Sequence, residues 1–174
     1  PDKKWTDVLE CHELYCAGHF IESAVAYYKA TGKEKIIQVA YKLADYLGTV
    51  FGPEEGKIHG YPGHQEIEIA LIKLYDLSGN EKYLKLAGYF INTRGTNRFF
   101  EEEFEKRDHI SFWAKARTED PNQYYNQYPY SYYNQFQSPV REQKKAVGHA
   151  VRGVYMYTAM ADLAAKTGDK ELFK

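Results

Sequence analysis

Three times along this chain of 174 residues an apolar helical run stops at a hydroxylated residue followed by glycine: Thr31-Gly32, Ser78-Gly79 and Thr167-Gly168. Glycine closes helices in the left-handed conformation, and in each case a new helical pattern starts within a few residues. Each copy therefore reads as a tight helical hairpin. Ala30 to Glu34 align with Leu77 to Glu81 at an offset of 47 residues, and Lys166 to Lys170 make a third copy. Hairpins at a fixed period stack or close into a helical array, and this period is longer than the ~34 residues of a tetratricopeptide unit. The fold class expected is all-α.

The two helices of a hairpin differ in character. In the second member, Ile36, Ile37, Ala40, Leu43, Ala44 and Leu47 make an apolar stripe opposite Lys35, Gln38, Lys42 and Asp45. Residues 81–93 repeat this with Leu84, Ala87, Phe90 and Ile91. One-sided helices of this kind border solvent. First members are apolar nearly all round and rich in small residues, such as Ala17, Gly18, Ser23 and Ala24, or Ala150, Gly153, Ala159 and Ala164. They belong to an inner layer, running parallel, ringed by outer helices that return.

Each first member is also preceded or opened by a histidine: His12, His64 and His149. Parallel inner helices bring their N-termini to one face, so three imidazoles are expected to meet at the mouth of the array, where ligand pockets form. The positive end of a helix dipole disfavours the imidazolium, and a neutral ring both donates and accepts hydrogen bonds, as a polyhydroxylated ligand requires. Two other readings remain open: each histidine as a separately satisfied core residue capping its own helix, or the three together as metal ligands. On the first inner helix His12, Tyr15, His19 and Glu22 share one face. His64 and Glu68, and His149 and Arg152, pair in the same way on the others.

If such a site were hydrolytic and cleaved glycosides, it would also need carboxyl groups. Glu13, Glu22, Glu66 and Glu68 lie near the histidines, none with an evident partner, and Glu54 and Glu55 read as solvated. Cys11 and Cys16, five residues apart, point to different faces of a helix and lack the paired spacing of a zinc site, so reduced, packed thiols are expected. Basic and acidic residues number 23 and 24 and are scattered, which gives no footprint for nucleic acid or for an anionic membrane. No apolar run reaches the ~18 residues needed to cross a bilayer.

Two connections are long. Residues 52–63 hold Gly52, Pro53, Gly56, Gly60, Pro62 and Gly63 and form a loop by turn chemistry. Residues 95–138 are an aromatic insertion, charged with room for a short helix over 99–113, then rich in Tyr, Asn and Gln from Asn122 to Phe136. That composition fits either stacking against sugar faces or a flexible polar tract.

Three ordered segments carry a resemblance: the run from Cys11 to His19 (CHELYCAGH), residues 51–75 (FGPEEGKIHGYPGH, then QEIEIALIKLY) and residues 139–164 (PVREQKKAVGHAVRGVYMYTAMADLA). Together they resemble glycoside hydrolase family 127, the bacterial β-L-arabinofuranosidases. The resemblance implies an (α/α)6 toroid, release of terminal β-L-arabinofuranosyl residues with retention, a cysteine nucleophile on zinc and a glutamate acid/base. It also implies that His12, His64 and His149 line the sugar subsite. The family's cysteine cluster and catalytic residues correspond to positions beyond Lys174, and neither Cys11 nor Cys16 matches them.

The expectation is thus an incomplete (α/α)6 catalytic domain over 1–174, with no second domain. There is no initiator Met at Pro1, and residues 169–174 read as a helix just begun. Substrate-binding residues are His12, His64 and His149, with no catalytic residue, metal ligand or bound cofactor in this segment and zinc in the full-length protein. The partner is an arabinofuranoside-containing glycan. The alternatives are a sugar epimerase or isomerase on the same ring, with histidines moving protons, and a non-catalytic scaffold of helical hairpins.

Overall fold

The computed structural model describes residues 3–124 and 129–174. Its helices are α1 (Glu13–Thr31), α2 (Glu34–Val50), α3 (Ile67–Ser78), α4 (Glu81–Thr93), α5 (Phe99–Lys106), α6 (Tyr130–Tyr133), α7 (Ala150–Thr167) and α8 (Lys170–Phe173). The only sheet among the described residues is a two-stranded antiparallel hairpin, β1 (Ile110–Ser111) with β2 (Ala116–Arg117). The chain is all-α. None of these helices is long and apolar enough to cross a membrane.

Local chemistry sets the hairpins. Gly32, Gly79 and Gly168 take φ of 69°, 69° and 71°, the left-handed closure that side chains resist, and each N–H returns to a carbonyl of the helix it ends. Asn80 caps α4 by accepting from Lys82 N at 3.2 Å. Asp169 caps α8 by accepting from Glu171 N and Leu172 N.

Two layers result. In the inner one, α3 packs between α1 and α7, while α2, α4 and α8 back them from outside. The central position of α3 explains why Ile67 to Ile72, together with Leu74, are all buried, with polar exposure confined to its C-terminal half at Lys73 and Asp76. The outer helices keep one wet side, with a shift from the expected stripe: Ile37, Ala40, Ala44 and Leu47 are buried, whereas Ile36 is exposed. Ile36 and Ile37 stand about 100° apart on the helix, too far to share a narrow contact with α1. On α7, Val151 and Val154 are also exposed, so this inner helix is covered on fewer sides than α3.

The insertion is ordered by its own polar contacts on both sides of residues 125–128, which lie outside the described residues. Glu103 on α5 accepts from Val8 N at 2.6 Å and Leu9 N at 3.0 Å, clamping the segment that leads into α1. Arg107 pairs with Asp7 at 2.9 Å and Glu10 at 3.3 Å. The Asn122–Phe136 tract is not a free polar strand in its second half: Tyr130 and Phe136 pack in the core, and Asn134 and Gln135 are fully buried. The insertion also closes on itself. A Cβ at Gly95 (φ +74°) would meet the Ser138 carbonyl oxygen at 2.2 Å, so its two ends touch.

Candidate functional site

His12 is the N-cap of α1 and His149 the N-cap of α7, and His64 stands three residues before α3 begins. All three line one cavity of about 420 Å³, which also touches Glu10, Tyr15, Gln65, Trp113, Tyr133, Arg152 and Tyr155. Common helix direction in the inner layer gathers them, as the repeat predicts. The rings of His12 and His64 lie 3.8 Å apart, and Trp113 meets His12 edge to face at 5.5 Å.

The capping reading also holds for one of them, because His149 Nδ1 accepts from Arg152 N at 3.5 Å. His149 serves the helix and the cavity at once, with its ring against Tyr133 at 5.5 Å.

Arg152 is the hub that sequence reasoning left in a secondary place. Its guanidinium donates to His64 Nε2 at 2.5 Å and to Asn134 Oδ1, and lies 5.5 Å over the Tyr133 ring. A guanidinium cannot accept, so Nε2 must, and the His64 proton sits on Nδ1. Nδ1 is buried without a hydrogen-bond partner among the described residues. Burial, and then the Arg152 cation, push His64 down to about 2. Burial and Arg152 likewise hold His12 and His149 below the usual imidazole range. The site therefore presents neutral imidazoles beside a fixed guanidinium: Arg152 occupies the acceptor nitrogen of His64 and of His149 and leaves each an N–H to donate, while a neutral His12 can donate or accept.

Deeper contacts hold this arrangement. Gln65 Nε2 donates to Gln135 Oε1 at 3.1 Å, and Gln135 Nε2 donates to the Tyr133, Val147 and His149 carbonyls. Arg94, fully buried, donates to the carbonyls of Asn134 and Pro62 and sits 4.0 Å from Glu68 Oε1. One side chain thus joins the end of α4 to the turn before His64 and to the residue that holds Arg152. Gly63 permits this turn, since a Cβ there would fall 2.1 Å from the Leu9 carbonyl oxygen.

The carboxylates are engaged elsewhere. Glu10, which the sequence did not single out, borders the cavity, but its oxygens accept from Ser111 Oγ at 2.9 Å and Phe112 N at 2.5 Å. Those bonds place the loop that carries Trp113. Glu13 accepts from Trp5 N, Glu68 from Glu66 N, and Glu54 pairs with Lys57. Glu22 and Glu66 face His19 instead. Among the described residues, no second acid joins Glu10 at the cavity.

Nor do the cysteines fit a thiolate-bound metal. Cys11 is half-buried, with its thiol pushed up to about 11 by burial and then by the Asp7 carboxylate, which opposes the thiolate form a metal needs. Cys16 is exposed rather than packed.

Comparison with known proteins bears on the same segment. The family model for the β-L-arabinofuranosidase GH127 catalytic domain matches residues 1–174. A non-reducing end β-L-arabinofuranosidase of Bifidobacterium longum subsp. longum is 41% identical over 166 residues, covering 95% of this chain and 24% of that protein. The crystal structure of a GH127 β-L-arabinofuranosidase from Geobacillus stearothermophilus T6 superposes with a TM-score of 0.88 at 55% identity, over 99% of this chain and 25% of that one. A GH127 β-arabinofuranosidase structure gives 0.75 at 40% identity, over 97% and 22%. The chain spans about a quarter of the length of these relatives. With a match from first residue to last, and with its helices superposing on a solved member, the chain belongs to the GH127 β-L-arabinofuranosidase catalytic-domain family.

Proposed function

We propose that the protein carrying this chain is a glycoside hydrolase that releases terminal β-L-arabinofuranosyl residues from oligosaccharides with retention. In this reading the helices form part of an (α/α)6 toroid. His12, His64 and His149 bind the terminal sugar, and the groups that break the glycosidic bond, with a zinc ion, lie outside residues 1–174.

The observation that carries the reading is the convergence of three imidazoles, from N-termini 52 and 85 residues apart, on one cavity. Neutral rings suit this work because a ring that keeps its acceptor nitrogen, as His12 can, accepts from a hydroxyl as well as donating to one, which an imidazolium cannot do. Arg152, donating to His64 Nε2 and Asn134 Oδ1, fixes the tautomer and orientation of the His64 ring, and a site whose polar groups are fixed discriminates strongly between sugars.

Incubating the protein with an oligosaccharide bearing a terminal β-L-arabinofuranosyl group tests this. The expected product is free L-arabinose. An untouched glycoside refutes hydrolysis, and interconversion of free sugars instead identifies an epimerase on the same scaffold.

A further inference from the structure

His19 lies seven residues beyond His12 on the same face of α1, about 10 Å farther along the helix axis. There it meets two carboxylates. His19 Nδ1 is 3.5 Å from Glu66 Oε1 and 3.8 Å from Glu22 Oε2, and the three donor atoms all lie within 4.8 Å of one another.

Glu66 is the unusual member. It occupies the N-cap position of α3 without a side-chain capping bond, its side chain is 0% exposed, and apart from its neighbours His19 and Glu22 neither carboxylate oxygen has a hydrogen-bond partner among the described residues. A buried carboxyl group left in this way costs roughly 1 to 3 kcal/mol or more, so folds seldom keep one without a partner. The neighbouring acids do have cations: Lys73 pairs with Glu22 Oε1, and Arg94 faces Glu68. Lys73 leaves the other Glu22 oxygen turned to His19. The backbone is also shaped around Glu66, because a Cβ at Gly18 would sit 1.4 Å from Glu66 Oε2.

We propose that His19, Glu22 and Glu66 form a divalent cation site that takes an ion of the zinc class through His19 Nδ1, Glu22 Oε2 and Glu66 Oε1. Nitrogen with two carboxylate oxygens is a donor set such ions accept at ~2.0–2.2 Å, which makes the edge of a tetrahedral site about 3.4 Å. The two edges from His19, 3.5 and 3.8 Å, need close by only a few tenths of an ångström, and the edge between the carboxylates lies within 4.8 Å. The ion ties the middle of α1 to the first turn of α3, two residues from His64, and so braces the sugar cavity from below. The site uses neither cysteine and is separate from the cavity histidines. Burial and the Glu22 carboxylate raise Glu66 to about 9, so without an ion it carries a proton and the two glutamates can share it.

The test compares the protein carrying this chain with its Glu66→Gln and His19→Gln variants. Each is stripped with chelator and titrated with Zn2+ by calorimetry, with metal analysis after desalting. Zinc held elsewhere is common to all three and cancels. The expected result is one equivalent more in the parent protein, weakened at least tenfold in both variants, and a rise in Tm on zinc addition that the variants lack. If the Glu66 variant fails to fold, His19→Gln, at a half-exposed ring, carries the comparison. Equal zinc content in parent and His19→Gln, with the same affinity, overturns the proposal and leaves a proton shared between Glu22 and Glu66.

Discussion

Lowering the pH tests whether His64 is a permanently neutral ring. In an unfolded chain a histidine takes up its proton near pH 6.5, whereas burial and Arg152 hold folded His64 down to about 2. Its folded pKa is depressed, so the unfolded state binds the extra proton in between. Stability from this group is fully present above pH 6.5 and is lost as the pH falls. The slope approaches 1.4 kcal/mol per pH unit, so His64 alone costs about 2 kcal/mol at pH 5.

Glu66 and Glu103, raised by burial to about 9 and about 7, act in the opposite sense: folded, they keep protons that the unfolded chain releases above pH ~4.3. The parent's raw profile mixes these terms, and the difference between the parent and His64→Gln isolates one. That difference in unfolding free energy should be flat above pH 7 and shrink by about 2 kcal/mol on going to pH 5. Histidine NMR should show the His64 ring untitrated down to pH 4.5 in the parent and titrating at higher pH in Arg152→Met, which lacks the guanidinium. A His64 midpoint near 6.5 in the parent, or a difference that stays constant from pH 7 to 5, refutes the argument.

Three further outcomes follow from the same structure. Gly18→Ala drives a methyl group into Glu66 and toward the Ile67 backbone, and overpacking of this kind should cost about 1–3 kcal/mol, seen as a fall in Tm. Asn80→Ala removes the α4 cap and should destabilise by about 1 kcal/mol in denaturant unfolding without altering sugar binding. His12→Ala should lower kcat/KM on a terminal β-L-arabinofuranoside by roughly fivefold or more, equivalent to one lost hydrogen bond of about 1 kcal/mol, with Tm nearly unchanged.

What the sequence made legible was local or periodic. Left-handed closure at Gly32, Gly79 and Gly168 is decided by one residue and its helix, and the spacing of His12, His64 and His149 follows from helices that start at equivalent points. The partners of those histidines were not legible, because they arrive over long separations. Arg152 reaches His64 across 88 residues, Ser111 reaches Glu10 across 101, and Asn134 and Gln135 sit in a tract whose composition resembles exposed loop. Alternation and composition register a residue's immediate surroundings, and none of these side chains owes its place to them. Glu22 and Glu66 were visible as acids near histidines, yet only the packing of α1 on α3 turns them toward His19.

The pinch between Gly95 and Ser138 separates two jobs. The helices, with the buried Asn134 and Gln135, fix where the imidazoles stand, while Trp113 on the rim of the cavity hangs on a segment that departs and returns at a single point. Doubling the length of such a segment costs only about 0.6 kcal/mol of closure entropy. Added length near Trp113 would therefore reshape the rim at little cost, whereas Glu103, Arg107 and the buried run from Asn134 to Phe136 tie the same segment to the helices and have to stay.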